Sequence, residues 1–406
     1  MSSPSMNRWS VVIAGVIILM CLGVAYSWGI FLLPIDQKMG WGRAKISFAV
    51  SILLFAFSVF MAIGGLLEKK IGPRKTACIG GLLVGLGWVL ASFAQSPFVL
   101  YLCYGVIAGI GTGLSYMPSI SSGIKWFPDK KGLVTGIIVF GFGFGTAFLS
   151  PLITKLINLH GWRATMMLCG IVFGLIIAMA AQCLKVPSIS NGAKDENSRD
   201  DAAFSPIEML KTNSFRIMFS TYLISMIAGM MTIGHLVAFI ADKNFNAMQG
   251  ALALTILSIF NGVGRITCGY ASDIWGGKKI LVLLFSLIGS VMFALYHSSA
   301  LPVIYVLSAV IGLCFGGFLA VYPSLTAEYF GRRDFSINYG LIFIGYGIGC
   351  FLGPLIGGWV HDIAKNYLVA FYLSGGLALI GSILINLFLN TPKIIIAKTD
   401  RIKGGI

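Results

Sequence analysis

Twelve apolar runs divide this 406-residue chain, each near the length of about 20 residues that a helix needs to cross a bilayer. They cover 10–33, 46–67, 76–94, 98–122, 132–157, 163–184, 214–240, 248–271, 280–297, 301–325, 337–360 and 367–389. Only 11% of residues are charged, too few to cover the surface of a soluble protein of this size. The expected fold class is therefore an all-α membrane protein with twelve transmembrane helices. The 51 glycines suit close helix packing in lipid and would penalise soluble helices. The first run is too long for the apolar core of a cleavable signal and lacks a small-x-small cleavage site.

The net charge of +15 does not point to nucleic acid, because the basic residues fall in short loops between apolar runs. With the N-terminus inside, 21 of the 29 Lys and Arg face the cytoplasm and 7 face out, and the remaining one, Arg265, lies inside a helix. That asymmetry places both termini in the cytoplasm, in a plasma (inner) membrane. The one long polar connection, 185–213, reads as a flexible cytoplasmic linker. It separates an N-terminal six-helix bundle (1–184) from a C-terminal one (214–392), with a cytoplasmic tail at 393–406. All eight cysteines lie in apolar runs without C-x-x-C spacing, so free thiols are expected, with no metal and no cofactor.

The halves repeat at an offset of 204 residues. Gly65 pairs with Gly269, Gly72 with Gly276, Gly136 with Gly340, Gly141 with Gly345, Gly143 with Gly347 and Gly145 with Gly349. GLLEKKIGPRK (65–75) echoes GYASDIWGGKK (269–279), and WFPDKK (126–131) echoes YFGRRD (329–334). Two pseudo-symmetric bundles follow, with a site expected where the repeats meet near the bilayer midplane.

These features resemble the major facilitator superfamily over nearly the whole chain. The loop after the eighth run matches that superfamily's G-x3-D-[RK]-x-G-x-[RK]-[RK] pattern, except that Ile274 replaces the basic residue. The first-half copy departs, with Lys69 in the aspartate position and Glu68 one place early. The resemblance implies a conformational latch formed by Asp273, Gly269 and Gly276, with Glu68, Arg332 and Arg333 at related helix ends. GWGRAKIS (40–47), WFPDKK (126–131) and GHLVAFIAD (234–242) further resemble the monocarboxylate transporter family, in its microbial oxalate/formate-like branch. That family keeps a substrate arginine where Arg265 stands.

Arg265 lies eight residues before Asp273, about 12 Å inward from the end of its helix. An arginine at such depth costs about 2.5–3.5 kcal/mol or more to insert unless it meets water or a counter-charge. Asp36, Glu68, Asp242, Asp273, Glu328 and Asp362 all sit at run ends, so a substrate carboxylate is the simplest counter-ion. A packing arginine satisfied by carbonyls and water is the alternative. Asn261, one turn earlier on the same face, stands where mammalian relatives commonly carry an aspartate; it can orient a carboxylate but takes no proton. The mammalian lysine of the first run and the oxalate carriers' lysine of the eleventh are both missing here. One buried cation suits a monoanion.

A coupled proton needs a titrating group. Asp242, at the outer end of the seventh run, and His235, about 10 Å further in, are the candidates. An ordinary helix-end carboxylate and a packing histidine are their alternatives. Tyr26, Trp28, Tyr116, Tyr322 and Tyr346 are candidate cavity aromatics that donate to a carboxylate or line an apolar pocket. The glycine clusters at 105–113 and 141–145 lie inside apolar helices and read as packing rather than as nucleotide loops.

The expected function is a secondary active transporter of a small lactate- or pyruvate-like monocarboxylate, a functional monomer in the lipid bilayer, with proton symport by alternating access. Anion exchange of the oxalate/formate type is the rival on the same fold, and a non-transporting membrane sensor the rival of another class. No nucleophile–base pair suggests an enzyme.

Overall fold

In a computed structural model the described residues are 8–185, 204–364 and 366–390. They form eleven apolar helical stretches long enough to span a membrane. One of these, Lys131–Ala181, has 51 residues, twice the expected length. Gly161 lies inside it with φ +77° and ψ 164°, a backbone that breaks the helical ladder without a Cβ penalty. The stretch is thus two of the twelve expected spans, joined by a single kinked residue rather than a loop.

The spans are α1 (Arg8–Met39), α2 (Arg43–Ile71), α3 (Pro73–Ser92), α4 (Pro97–Trp126), α5 (131–160) and α6 (162–181). They continue with α7 (Asn213–Asp242), α8 (Ala247–Trp275), α9 (Gly277–His297), α10 (Leu301–Phe330), α11 (Phe335–Ala364) and α12 (Leu368–Phe388). Local sequence accounts for the boundaries. Ser96 caps α4 ahead of Pro97, Thr212 caps α7, and Asn246 with Gln249 forms a reciprocal capping box on α8. Gly72 and Gly276, the matched glycines of the repeated loop, both adopt positive φ (+83° and +89°) and separate α2 from α3 and α8 from α9. The repeat read from spacing is therefore also a repeat of backbone conformation.

The chain divides into two compact units. The first holds α1–α4 and the chain from Ile137 through α6. The second holds α7–α12 together with Asp129–Gly136, the residues that open α5. This differs from a division at the linker alone, because α5 starts in one unit and continues in the other.

The linker expectation also needs correcting. Phe204 is fully buried, its N–H donates to the Phe330 carbonyl at 2.9 Å, and its carbonyl accepts from Asn338 Nδ2 at 3.0 Å. Ser205 and Glu208 then form a capping box on a short helix, Pro206–Leu210, whose Met209 is buried. Phe204 and Met209 thus anchor residues 204–213 to the second unit. The Ser-x-x-Glu spacing and the lone Phe in a polar stretch were the available signals. The remainder of the linker from 186, and the tail from 391, lie outside the described residues.

All eight cysteines are free thiols.

Candidate functional site

Among the described residues, Arg265 is the largest buried charged side chain, at 1% exposure. It stands ten residues from the end of α8, about 15 Å along the helix. Its Nε donates to Asn261 Oδ1 at 2.9 Å, across one helical turn. Side chains at i and i+4 share a helix face, so the pair follows from their spacing. Asn261 is also buried. With Nε held, the guanidinium plane is oriented and its two Nη groups form the fork that matches a carboxylate's two oxygens.

Asp273, two turns further along α8, accepts from the backbone N–H of Gly132 at 2.8 Å (Oδ1) and of Leu133 at 2.8 Å (Oδ2). These are N–H groups of the first turn of α5, which have no acceptor within their own helix, and the carboxylate also meets the positive end of the helix dipole. Gly269 touches this turn directly, since a Cβ placed on it would overlap the Gly132 carbonyl. Gly276 supplies the turn just beyond.

Glu68 behaves differently. It is buried, accepting from Lys125 Nζ at 2.8 Å and Ser121 Oγ at 2.6 Å, so it ties the end of α2 to α4 within the first unit. Arg332 is half-buried, and Arg333 is exposed with its Nε 3.6 Å from the buried Asp334.

Among the aromatic candidates, the structure brings some together and separates others. Tyr322 is buried in the second unit, donates to Thr221 Oγ1 at 2.8 Å and stacks on Tyr222 at 4.0 Å. Tyr222 in turn lies 6.0 Å from Tyr346, which stacks on Phe343 at 4.2 Å. Tyr222 was missed from sequence; one tyrosine in an apolar helix carries no signal until α10 and α11 are seen to pack on it. In the first unit Tyr26 and Tyr116 both pack edgewise on Phe142, at 5.0 and 5.8 Å. Trp28 belongs elsewhere: it stacks on Tyr104 at 4.0 Å and donates to the Ile46 carbonyl at 3.1 Å.

His235, half-buried in α7, bridges two other helices. Its Nε2 is 2.9 Å from the Pro354 carbonyl of α11, and its Nδ1 is 3.2 Å from the hydroxyl of Tyr367 at the start of α12. A carbonyl only accepts, so Nε2 carries the proton in the neutral ring and Nδ1 accepts from Tyr367. Asp242 is exposed at the last residue of α7.

Long apolar helices in two repeated units, one buried arginine in a spanning helix and an acid-capped helix start define a polytopic membrane carrier. The comparisons agree on the class. The family model described as Major Facilitator Superfamily matches residues 13–299 and 218–403, and the chain belongs to that superfamily. An oxalate:formate antiporter from Oxalobacter formigenes is 29% identical over 366 residues, covering 89% of this chain and 86% of that one. Monocarboxylate transporter 13 from Rattus norvegicus is 27% identical, covering 89% and 83%. Among solved structures, the transporter FucP in the outward conformation superposes with a TM-score of 0.71 at 17% identity, covering 92% of this chain and 98% of that one. The proton:xylose symporter XylE gives 0.73 at 13%, covering 98% and 100%. The family and these structural neighbours are transporters rather than enzymes.

Proposed function

We propose that this protein is a secondary active transporter that moves a small monocarboxylate by alternating access, with Arg265 binding the carboxylate. The observation that carries the reading is the buried Arg265–Asn261 pair in a spanning helix. The arginine supplies a planar fork and the amide fixes its plane, an arrangement suited to one carboxylate and unable to take a proton itself. Tyr322 and Tyr346 are proposed to line the apolar part of the site within the second unit, and Tyr26 and Tyr116 are proposed substrate contacts of the first unit. The names of two relatives, a monocarboxylate transporter and an oxalate:formate antiporter, support an organic-anion cargo.

The proposed coupling is proton symport, with His235 as the proton site and Asp242 at the outer end of the same helix as the entry acid. His235 is suited to this because its two ring nitrogens meet a carbonyl and a phenol. Asp273 is proposed to latch one conformation by holding the first turn of α5. The reading extends to a monomer of the plasma membrane with both termini cytoplasmic, an orientation that the distribution of its basic residues supports.

The oxalate:formate antiporter among the relatives favours a second reading, anion exchange on the same fold. Proteoliposome uptake separates the two. Symport predicts labelled lactate uptake that rises as external pH falls and proceeds without internal anion. Exchange predicts uptake that requires internal anion.

A further inference from the structure

The peptide of Arg265 is enclosed on two sides by glycines. On one side stands Gly316 of α10: a Cβ there would overlap the Asn261 carbonyl oxygen and lie 3.1 Å from the Arg265 nitrogen. On the other stands Gly136 in α5: a Cβ there would overlap the Arg265 carbonyl oxygen and lie 3.2 Å from Ile266 Cα. Both glycines belong to the same compact unit as Arg265. One turn before Gly136, Gly132 meets the Gly269 carbonyl in the same manner and donates its N–H to Asp273.

Close packing through small residues is ordinary between spanning helices, and it explains why Gly264 abuts Leu313 and Gly312 abuts Leu257 along α8 and α10. The contacts at Gly136 and Gly316 differ in what they touch. Gly316 meets the backbone of both members of the Asn261–Arg265 pair, and Gly136 meets the arginine's own carbonyl. Side-chain placement follows backbone placement, and a shift of about 1 Å in a binding group can cost up to about 100-fold.

We infer that Gly136 and Gly316 are positioning residues for the substrate arginine, and that through Gly136 the seating of the first turn of α5 on Asp273 is mechanically tied to where the guanidinium stands. This rests on the reading of Arg265 as the carboxylate ligand. A methyl group at either glycine forces the α8 turn away and moves the fork off its carboxylate. Loss of the Asp273 cap loosens the α5 side of the same enclosure.

The test measures Kd in purified full-length protein for whichever of formate, acetate, L-lactate or pyruvate the wild type takes up fastest. The variants are Gly136→Ala, Gly316→Ala, Arg265→Lys and Gly145→Ala. Gly145→Ala is the control: its methyl would overlap the Met20 carbonyl, an equal insult on the same α5 but in the first unit. The expected result is a Kd raised about tenfold or more in Gly136→Ala and Gly316→Ala, and within about twofold of wild type in Gly145→Ala. If both alanine variants bind like wild type while Arg265→Lys loses binding, the positioning inference is overturned and the arginine reading stands. If Arg265→Lys itself binds like wild type, the arginine reading fails. An equal loss in Gly145→Ala also overturns the inference. Should an alanine variant not fold, Asp273→Asn relaxes the α5 turn without steric overlap; it is expected to weaken binding several-fold, and unchanged binding refutes the tie.

Discussion

Asn261 accepts the Nε–H of Arg265 at 2.9 Å inside a spanning helix, so a neutral amide fixes the plane of a buried guanidinium. An aspartate at that position would set a carboxylate on the guanidinium; the asparagine sets a neutral amide there. Substitutions here divide charge from geometry. Asn261→Ala keeps the cation but frees its plane, and is expected to weaken monocarboxylate affinity about tenfold, equivalent to about 1.4 kcal/mol for one hydrogen bond to a charged group. Asn261→Asp is expected to weaken it further by supplying a competing carboxylate. Isothermal titration of the purified variants checks both.

The Asp273 cap predicts a local, not a global, effect. Its two oxygens satisfy the N–H groups of Gly132 and Leu133. Asp273→Asn keeps one acceptor and loses the charge, which is worth about 1–2 kcal/mol at a helix start. Hydrogen–deuterium exchange at residues 131–136 should accelerate about tenfold, with α3 and α4 unchanged. Equal protection in the variant would remove Asp273 from the latch.

Glu68 and Lys125 predict non-additive stability. The carboxylate is buried and the ammonium partly exposed, with Ser121 as the second donor. Lys125→Met leaves a buried carboxylate short of its counter-charge and is expected to destabilise by about 2 kcal/mol. Adding Glu68→Gln should restore much of that loss, since the double variant buries no unpaired charge. Thermal unfolding of the four proteins of this cycle in detergent decides it; additive losses would show that the pair is not coupled.

His235 and Asp242 are tested by separating proton-driven uptake from exchange. His235→Gln retains hydrogen bonding to Pro354 and Tyr367 but does not titrate. It is expected to abolish uptake driven by a pH gradient while sparing anion exchange at equal pH. Asp242→Asn is expected to slow the same proton-driven component. If both variants respond to the gradient as wild type does, neither residue carries the coupled proton.

Much of this architecture is legible in the sequence, for identifiable reasons. Apolar run length reports spanning helices directly, and the offset of 204 residues anticipated that Gly72 and Gly276 share a left-handed backbone. The Asn261–Arg265 contact was legible because helical periodicity alone brings i and i+4 together. What was hidden depends on tertiary packing. Glu68 finds Ser121 and Lys125 more than fifty residues away, and His235 finds Pro354 and Tyr367 more than a hundred away. Composition assigned Phe204 to a flexible linker, whereas two hydrogen bonds and a buried ring hold it against α10 and α11. Gly161 ended a helix in the expected place, but as a kink within a 51-residue stretch.

The Phe204 anchor carries its own prediction. Phe204→Ala removes a buried aromatic ring and should destabilise the protein by about 3–5 kcal/mol, a large-to-small core change. A silent Phe204→Ala would return the whole segment to the linker.

The central claim is that Arg265 recognises one carboxylate through a planar fork, and uptake of labelled L-lactate by proteoliposomes carrying wild type or Arg265→Lys tests it most directly. Competition by unlabelled acetate, pyruvate, formate and oxalate accompanies the uptake. The account predicts saturable wild-type uptake, inhibited by the monocarboxylates more strongly than by oxalate, and reduced tenfold or more in Arg265→Lys despite its retained charge. Unchanged uptake in Arg265→Lys, or oxalate as the strongest competitor, would contradict it.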